Sequence, residues 1–172
     1  MIIDIMLIVV LVTCLLTDLK SRTIYNKVIF PMLVLSFTIH AFTPVGSGVI
    51  FSLSGFGTGL GLLLIPYLLG GMGAGDVKLL ALIGAMKGTV FVLYTGVYMA
   101  LIGGVIALGI ILFRKGVLFR LKSIFLTIAG LKHGVKIPLA LDKDSLKATY
   151  PYGVAIVGGA FISLFAKGWI LL

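Results

Sequence analysis

The chain has 172 residues, 60% of them hydrophobic and only 11% charged, with 14 Lys and Arg against 5 acidic residues for a net charge of +9. A soluble domain is about 45–50% apolar and about 25% charged, so a water-soluble fold of this length is excluded and lipid has to cover the excess. A basic excess in a soluble protein would suggest nucleic acid, but here the basic residues flank apolar runs, which the positive-inside rule explains with no nucleic-acid partner.

The first apolar run is Ile2 to Thr17. It reaches roughly 24 Å as a helix, just short of a ~30 Å hydrocarbon core. Cys14, the only cysteine, lies inside it, which excludes an internal disulfide and a cysteine-based zinc site. No basic residue precedes it, as a signal peptide would require, so the run reads as a retained anchor. Asp18 to Lys27 is polar and basic, and Val28 to Phe42 is the second run, ended by Thr43-Pro44.

After a short Gly/Ser turn comes the third run, Val49 to Leu69. It carries two GxxxG pairs, Gly55/Gly59 and Gly57/Gly61, which let helices approach closely in lipid, as ordinary packing or as a tight scaffold around a site. Gly70 to Asp76 is a glycine-rich connection. Val77 to Met86 is apolar but short, Lys87-Gly88 interrupts it, and Thr89 to Phe113 is long enough to span. Arg114 to Tyr150 is a long basic segment, within which Gly116 to Leu131 reads as an interfacial helix. Pro151 to Leu172 is the last apolar run.

If the segment after the first run is cytoplasmic and every run crosses once, twelve of the fourteen basic residues are cytoplasmic and only Lys87 and Lys167 lie outside. The predicted fold is therefore all-α and integral to the membrane: a single domain over residues 1–172, a bundle of six transmembrane helices with both termini outside, and a long basic cytoplasmic loop. This count requires Val77–Met86 to cross. Ten helical residues reach only ~15 Å, so that run must lie among other helices, or Lys87 must snorkel from a longer one.

Two carboxylates then stand at helix ends on the same side. Asp18 closes the first run and Asp76 opens the fourth. An aspartate at mid-membrane costs ~2.5–3.5 kcal/mol, less near the interface, and is kept more often than not for function. Two carboxylates held together do not both ionise cheaply; one keeps a proton, so the pair offers a base and an acid at once. Peptide hydrolysis needs both, and no metal or other cofactor is called for. Gly73 and Gly75 precede Asp76 and would let an extended peptide backbone come close. Arg22 and Lys78 either tune the pair or meet lipid phosphates. Asn26 either orients Asp18 or caps the second helix.

Gly73-Ala74-Gly75-Asp76 followed by Val77-Lys78-Leu79-Leu80 resembles the GxGD signature of the type IV prepilin peptidases, a family that includes the preflagellin peptidases. Asp18 with Arg22-Thr23-Ile24-Tyr25-Asn26 resembles the family's first aspartate and its R-x-I-P-N stretch, with Tyr25 where proline is usual. Pro151-Tyr152-Gly153 resembles a third element, so the matches span residues 18 to 153. The resemblance implies an aspartyl endopeptidase at the cytoplasmic face of the cell membrane. Its substrate would be a prepilin-like membrane protein with a short basic leader before an apolar helix. The N-terminal segment with paired cysteines that supports N-methylation in long members is absent, so no methyltransferase activity is expected.

Two other readings stay open. Presenilin and signal-peptide-peptidase proteins also carry GxGD, but their first aspartate follows a tyrosine, whereas Thr17 precedes Asp18 here. Intramembrane aspartates also mark proton-coupled transporters, although no repeat of the kind those show is visible. Asp4 reads as interfacial, and Asp142 and Asp144 as locally paired among lysines. His40 and His133 have no partner at metal-ligand spacing, so no metal is assigned. Oligomeric state is not readable.

Overall fold

The computed structural model describes residues 2–21, 23–42, 48–113 and 152–170. They form α1 (Ile2–Ser21), α2 (Asn26–Phe42), α3 (Gly48–Leu68), α4 (Ala74–Phe113) and α5 (Tyr152–Ile170). The chain divides into two compact units, Met1–Gly103 with Pro151–Leu172, and Gly104–Tyr150. Of the second, the described residues are the helical stretch 104–113. The expected interfacial helix at Gly116–Leu131 lies outside the described residues, as do Arg22 and Pro151.

Three of the described helices are long and apolar enough to cross a membrane: Ile2–Ser21, Gly48–Leu68 and Ala74–Gly109. Two shorter apolar helices, Asn26–Phe42 and Tyr152–Ala166, accompany them. Leu16, Leu35, Ile50, Leu68, Val97 and Phe165 all point outward, an apolar surface that water covers only at a cost.

One face of α1 is buried: Leu7, Val10, Leu11, Cys14 and Asp18, the spacing of a single helical stripe. That stripe packs on α2 and α5. Asp18 is part of it, and the helix runs on to Ser21, about one turn beyond the point where the apolar run ends. One turn before Asp18 in the same stripe, Cys14 is a packed helix cysteine, as its setting in the sequence implied.

α4 is not a straight rod. Gly88 has φ 83° and ψ 177°, a conformation that a side chain strains, and the Phe51 ring occupies the space where a Cβ at 88 would stand. Before Gly88, α3 and α4 run antiparallel: Ser52 Oγ donates to Ala85 O at 2.7 Å, Gly55 abuts Gly84, and Gly59 abuts Leu80 and Ala81. After Gly88 the chain doubles back. A straight helix would carry Gly96 about 12 Å past Phe51, whereas Leu62 lies about 16 Å the other way along α3; yet a Cβ at 96 would meet Leu62 at 3.4 Å. The returning half packs along α5, with Gly159 against Thr95 and Met99, and Gly103 facing Ala155.

The short apolar run is therefore a helix of its own, enclosed by protein. From Asp76 to Met86 every residue is buried except Lys78, which is half-buried. Its length sets no mismatch with lipid because other helices wrap it. At the reversal Lys87 pairs with Asp4 at the start of α1 and stands 5.6 Å over the Phe91 ring. Of the two GxxxG pairs, only Gly55/Gly59 faces α4; nothing lies within 4 Å of a Cβ at Gly57 or Gly61. Residues two apart on a helix do not share a face, so one pair could serve this seam and the other could not.

Candidate active site

α3 ends in a left-handed glycine turn that delivers the chain to Asp76. Gly70 has φ 76°, its N–H bonds Tyr67 O at 2.9 Å, and Gly71 N–H bonds Pro66 O at 2.9 Å. This is the Schellman pattern, in which the last carbonyls of a helix are satisfied by the two residues that leave it. Gly73 then takes the N-cap position of α4. Asp76, three residues on, turns its carboxylate back, and Gly73 N–H donates to Asp76 Oδ2 at 3.2 Å. Asp76 N–H in turn bonds Gly73 O at 3.1 Å. An acid at this position reaching the cap's N–H is half of a capping box, so Asp76 both starts α4 and is oriented by that start.

Asp18 comes to the same end of the bundle from α1. Asp18 and Asp76 are both buried, at 8% and 9% exposure. They are close enough that the charge of Asp18 acts on Asp76. Two buried carboxylates thus stand at the ends of two helices, within reach of each other's charge. The third wall is α5. A Cβ at Gly153 would overlap the Asp18 carboxylate, so the first turn of α5 lies against that acid only because residue 153 has no side chain. Tyr152 is half-buried beside it.

The connection between α1 and α2 closes the site from the side. Ile24 seats on Gly75: a Cβ there would meet Ile24 Cβ at 3.0 Å. The bare faces of the two glycines before Asp76 are thus occupied within the protein, at Gly75 by Ile24 and at Gly73 by the Asp76 carboxylate, which a Cβ at 73 would meet at 3.3 Å. Ile24 was not singled out from the sequence as a site residue; the only sign of it was its place in the Arg22–Asn26 stretch.

Asn26 does not hold the cap position of α2. Tyr25 does, its carbonyl accepting from Val28 N at 3.0 Å and Ile29 N at 3.4 Å. Asn26 Oδ1 instead accepts from Lys78 Nζ at 3.0 Å, a residue that also lies 5.6 Å over the Phe30 ring. The Tyr25 hydroxyl lies 3.5 Å from Ser21 Oγ. Hydrogen bonding to Ser21, then to Thr23, holds the phenol below its ordinary range. Tyr25 thus braces this short connection by its own contacts.

Among the described residues no three His, Cys, Asp or Glu side chains come together as metal ligands. The buried His40 is engaged otherwise, Nδ1 lying 2.8 Å from Ser36 O and the ring stacking on Phe51. A family model described as the type IV leader peptidase family matches residues 5–108. That stretch holds Asp18, Asn26, Gly73, Gly75, Asp76 and Lys78, and ends before Tyr152 and Gly153. No curated protein and no solved structure gives a match.

Proposed function

The chain belongs to the type IV leader peptidase family, and we propose that it is an aspartyl endopeptidase in which Asp18 and Asp76 share the work of hydrolysis. The observation that carries this reading is the pair itself: two buried carboxylates, from helices far apart in sequence, within reach of each other's charge. One carboxylate, ionised, takes a proton from a water held between them. The oxygen of that water adds to the scissile carbonyl carbon. The other, protonated, donates to the carbonyl oxygen, giving a neutral tetrahedral diol. Collapse of the diol breaks the C–N bond, the leaving nitrogen takes a proton from the pair, and the products are a carboxylic acid and an amine. Neither a side-chain nucleophile nor a metal takes part.

The substrate is a prepilin-like membrane protein, cut where a short basic leader meets an apolar helix. In this reading all six apolar runs cross the cell membrane and the site lies at its cytoplasmic face, as the distribution of basic residues favours. Enclosure of 76–86 by other helices supports counting that run as a crossing. Purified protein incubated in lipid with such a substrate is the test, the product masses locating the cut. A cut at the junction is the expected result; a cut inside the apolar helix, or none, would overturn the assignment.

A further inference from the structure

One hydrogen bond fastens together the two segments that carry the aspartates. The approach to Asp76 is poor in side chains that could anchor it: Gly70, Gly71, Gly73 and Ala74 are all exposed. Glycine-rich backbone resists ordering, so the approach itself does little to hold the first turn of α4, whose later turns pack on α3. That first turn is held from the connection that follows Asp18. Ile24 seats on Gly75, one residue before Asp76, and Asn26 Oδ1 accepts from Lys78 Nζ at 3.0 Å, two residues after it.

Lys78 does not aim its charge at the carboxylates. Residues i and i+2 on a helix do not face each other, and the Lys78 ammonium leaves α4 toward Asn26 and the Phe30 ring. We propose that Asn26 and Lys78 are positioning residues. Their bond, with Ile24 on Gly75, clamps the first turns of α4 to the α1–α2 connection and so sets the separation of Asp18 and Asp76. This rests on the reading of that pair as catalytic. The clamp works through the backbone, so it alters how fast bound substrate is cut, and not how tightly substrate binds or how the site titrates.

The experiment is a set of variants in the full-length protein, assayed in lipid on a peptide with a basic leader and an apolar helix. Asn26→Ala and Lys78→Met should each lower kcat by about 10- to 100-fold, the order expected when a reacting group is misplaced by a fraction of an ångström to 1 Å. KM should stay within about threefold, the sign that ground-state binding is untouched. The pH profile of kcat should keep its shape. The double variant should be no slower than the worse single one, because both break one bond. Lys78→Arg and Asn26→Asp keep a donor and an acceptor, and each should recover most of the loss; they also stand in should the shorter side chains fail to fold.

A shifted pH profile in Lys78→Met would make the lysine a charge that tunes the pair, and would overturn the clamp. A raised KM at constant kcat would make it a substrate contact, with the same consequence. Additive losses, or near wild-type rates throughout, would equally refute it. Activity of the wild-type protein separates the two levels: if it cuts the peptide and the variants behave otherwise than stated, the clamp alone falls, whereas a wild-type protein that cuts nothing brings down both.

Discussion

Gly153→Ala should damage catalysis while sparing the fold. A Cβ at 153 would stand 2.7 Å from Asp18 Cγ and 3.1 Å from Asp18 Cβ, and would overlap Oδ2. Carbon atoms sit best about 3.5–4.0 Å apart, so the carboxylate has to retreat by about 1 Å. The first turn of α5 is backbone and yields less readily than a side chain that can turn about its own bonds, so Asp18 moves. A displacement of about 1 Å at a reacting group costs on the order of 10²-fold in rate. Stability moves differently. Alanine is a better helix former than glycine by about 1 kcal/mol in a helix interior, which offsets part of the strain, so the melting temperature should change by no more than a few degrees. The assay is single-turnover cleavage of a prepilin-like substrate in lipid, beside a thermal melt of the same preparation. Gly61→Ala, where a Cβ meets nothing within 4 Å, is the control. A Gly153→Ala protein that cleaves at the wild-type rate would refute the placement of α5 against Asp18.

At the α3–α4 seam, Gly55→Ala should lower thermal stability by about 1–3 kcal/mol, the usual effect of overpacking, because its Cβ would overlap the Gly84 carbonyl; Gly57→Ala should be neutral in the same melt. Asp4→Asn removes the partner of Lys87 at the far end of the bundle. That pair is partly exposed and contributes about 1 kcal/mol at most, so the variant should melt slightly earlier and cleave at nearly the wild-type rate. Cysteines at Ser21 and Lys122 should be shielded from a membrane-impermeant thiol reagent in intact cells, with one at Ser47 labelled; labelling at Lys122 from outside would contradict six crossings.

Residue type and position singled out Asp18 and Asp76, because acids are rare in an apolar chain. Gly153 came only through the resemblance of Pro151-Tyr152-Gly153 to a family element, and the fold sets it against Asp18. The seam glycines Gly55 and Gly59 were legible as a pair, but the sequence offered Gly57 and Gly61 on equal terms; only the position of α4 distinguishes the two faces. The length of the short run 77–86 left two options, enclosure by other helices or a snorkelling Lys87, and the fold shows it enclosed. Other features depend on contacts between distant segments, which no local pattern encodes. Asp4 reads as an interfacial acid, but its partner Lys87 is not legible until α4 turns back at Gly88. Asn26 reads either as a partner of Asp18 or as a cap, and in the fold Tyr25 takes the cap position while Lys78 arrives from α4 to meet Asn26. Gly75 reads as bare backbone beside Asp76, and only the fold shows that Ile24 lies against it.

The most direct test of the account is cleavage by Asp18→Asn and Asp76→Asn. Each substitution keeps the shape of the side chain, and at 76 the carboxamide oxygen can still accept the Gly73 N–H that the carboxylate takes now, so both proteins should insert and fold. Neither can pass a proton in the way the mechanism requires. General acid–base catalysis is worth about 10²–10⁴-fold, and the loss of either half of the pair should cost at least that, measured as the rate of leader removal from a prepilin-like substrate in lipid. Both variants should be inactive within the limits of the gel. Cleavage by either at close to the wild-type rate would contradict the claim that Asp18 and Asp76 carry the reaction.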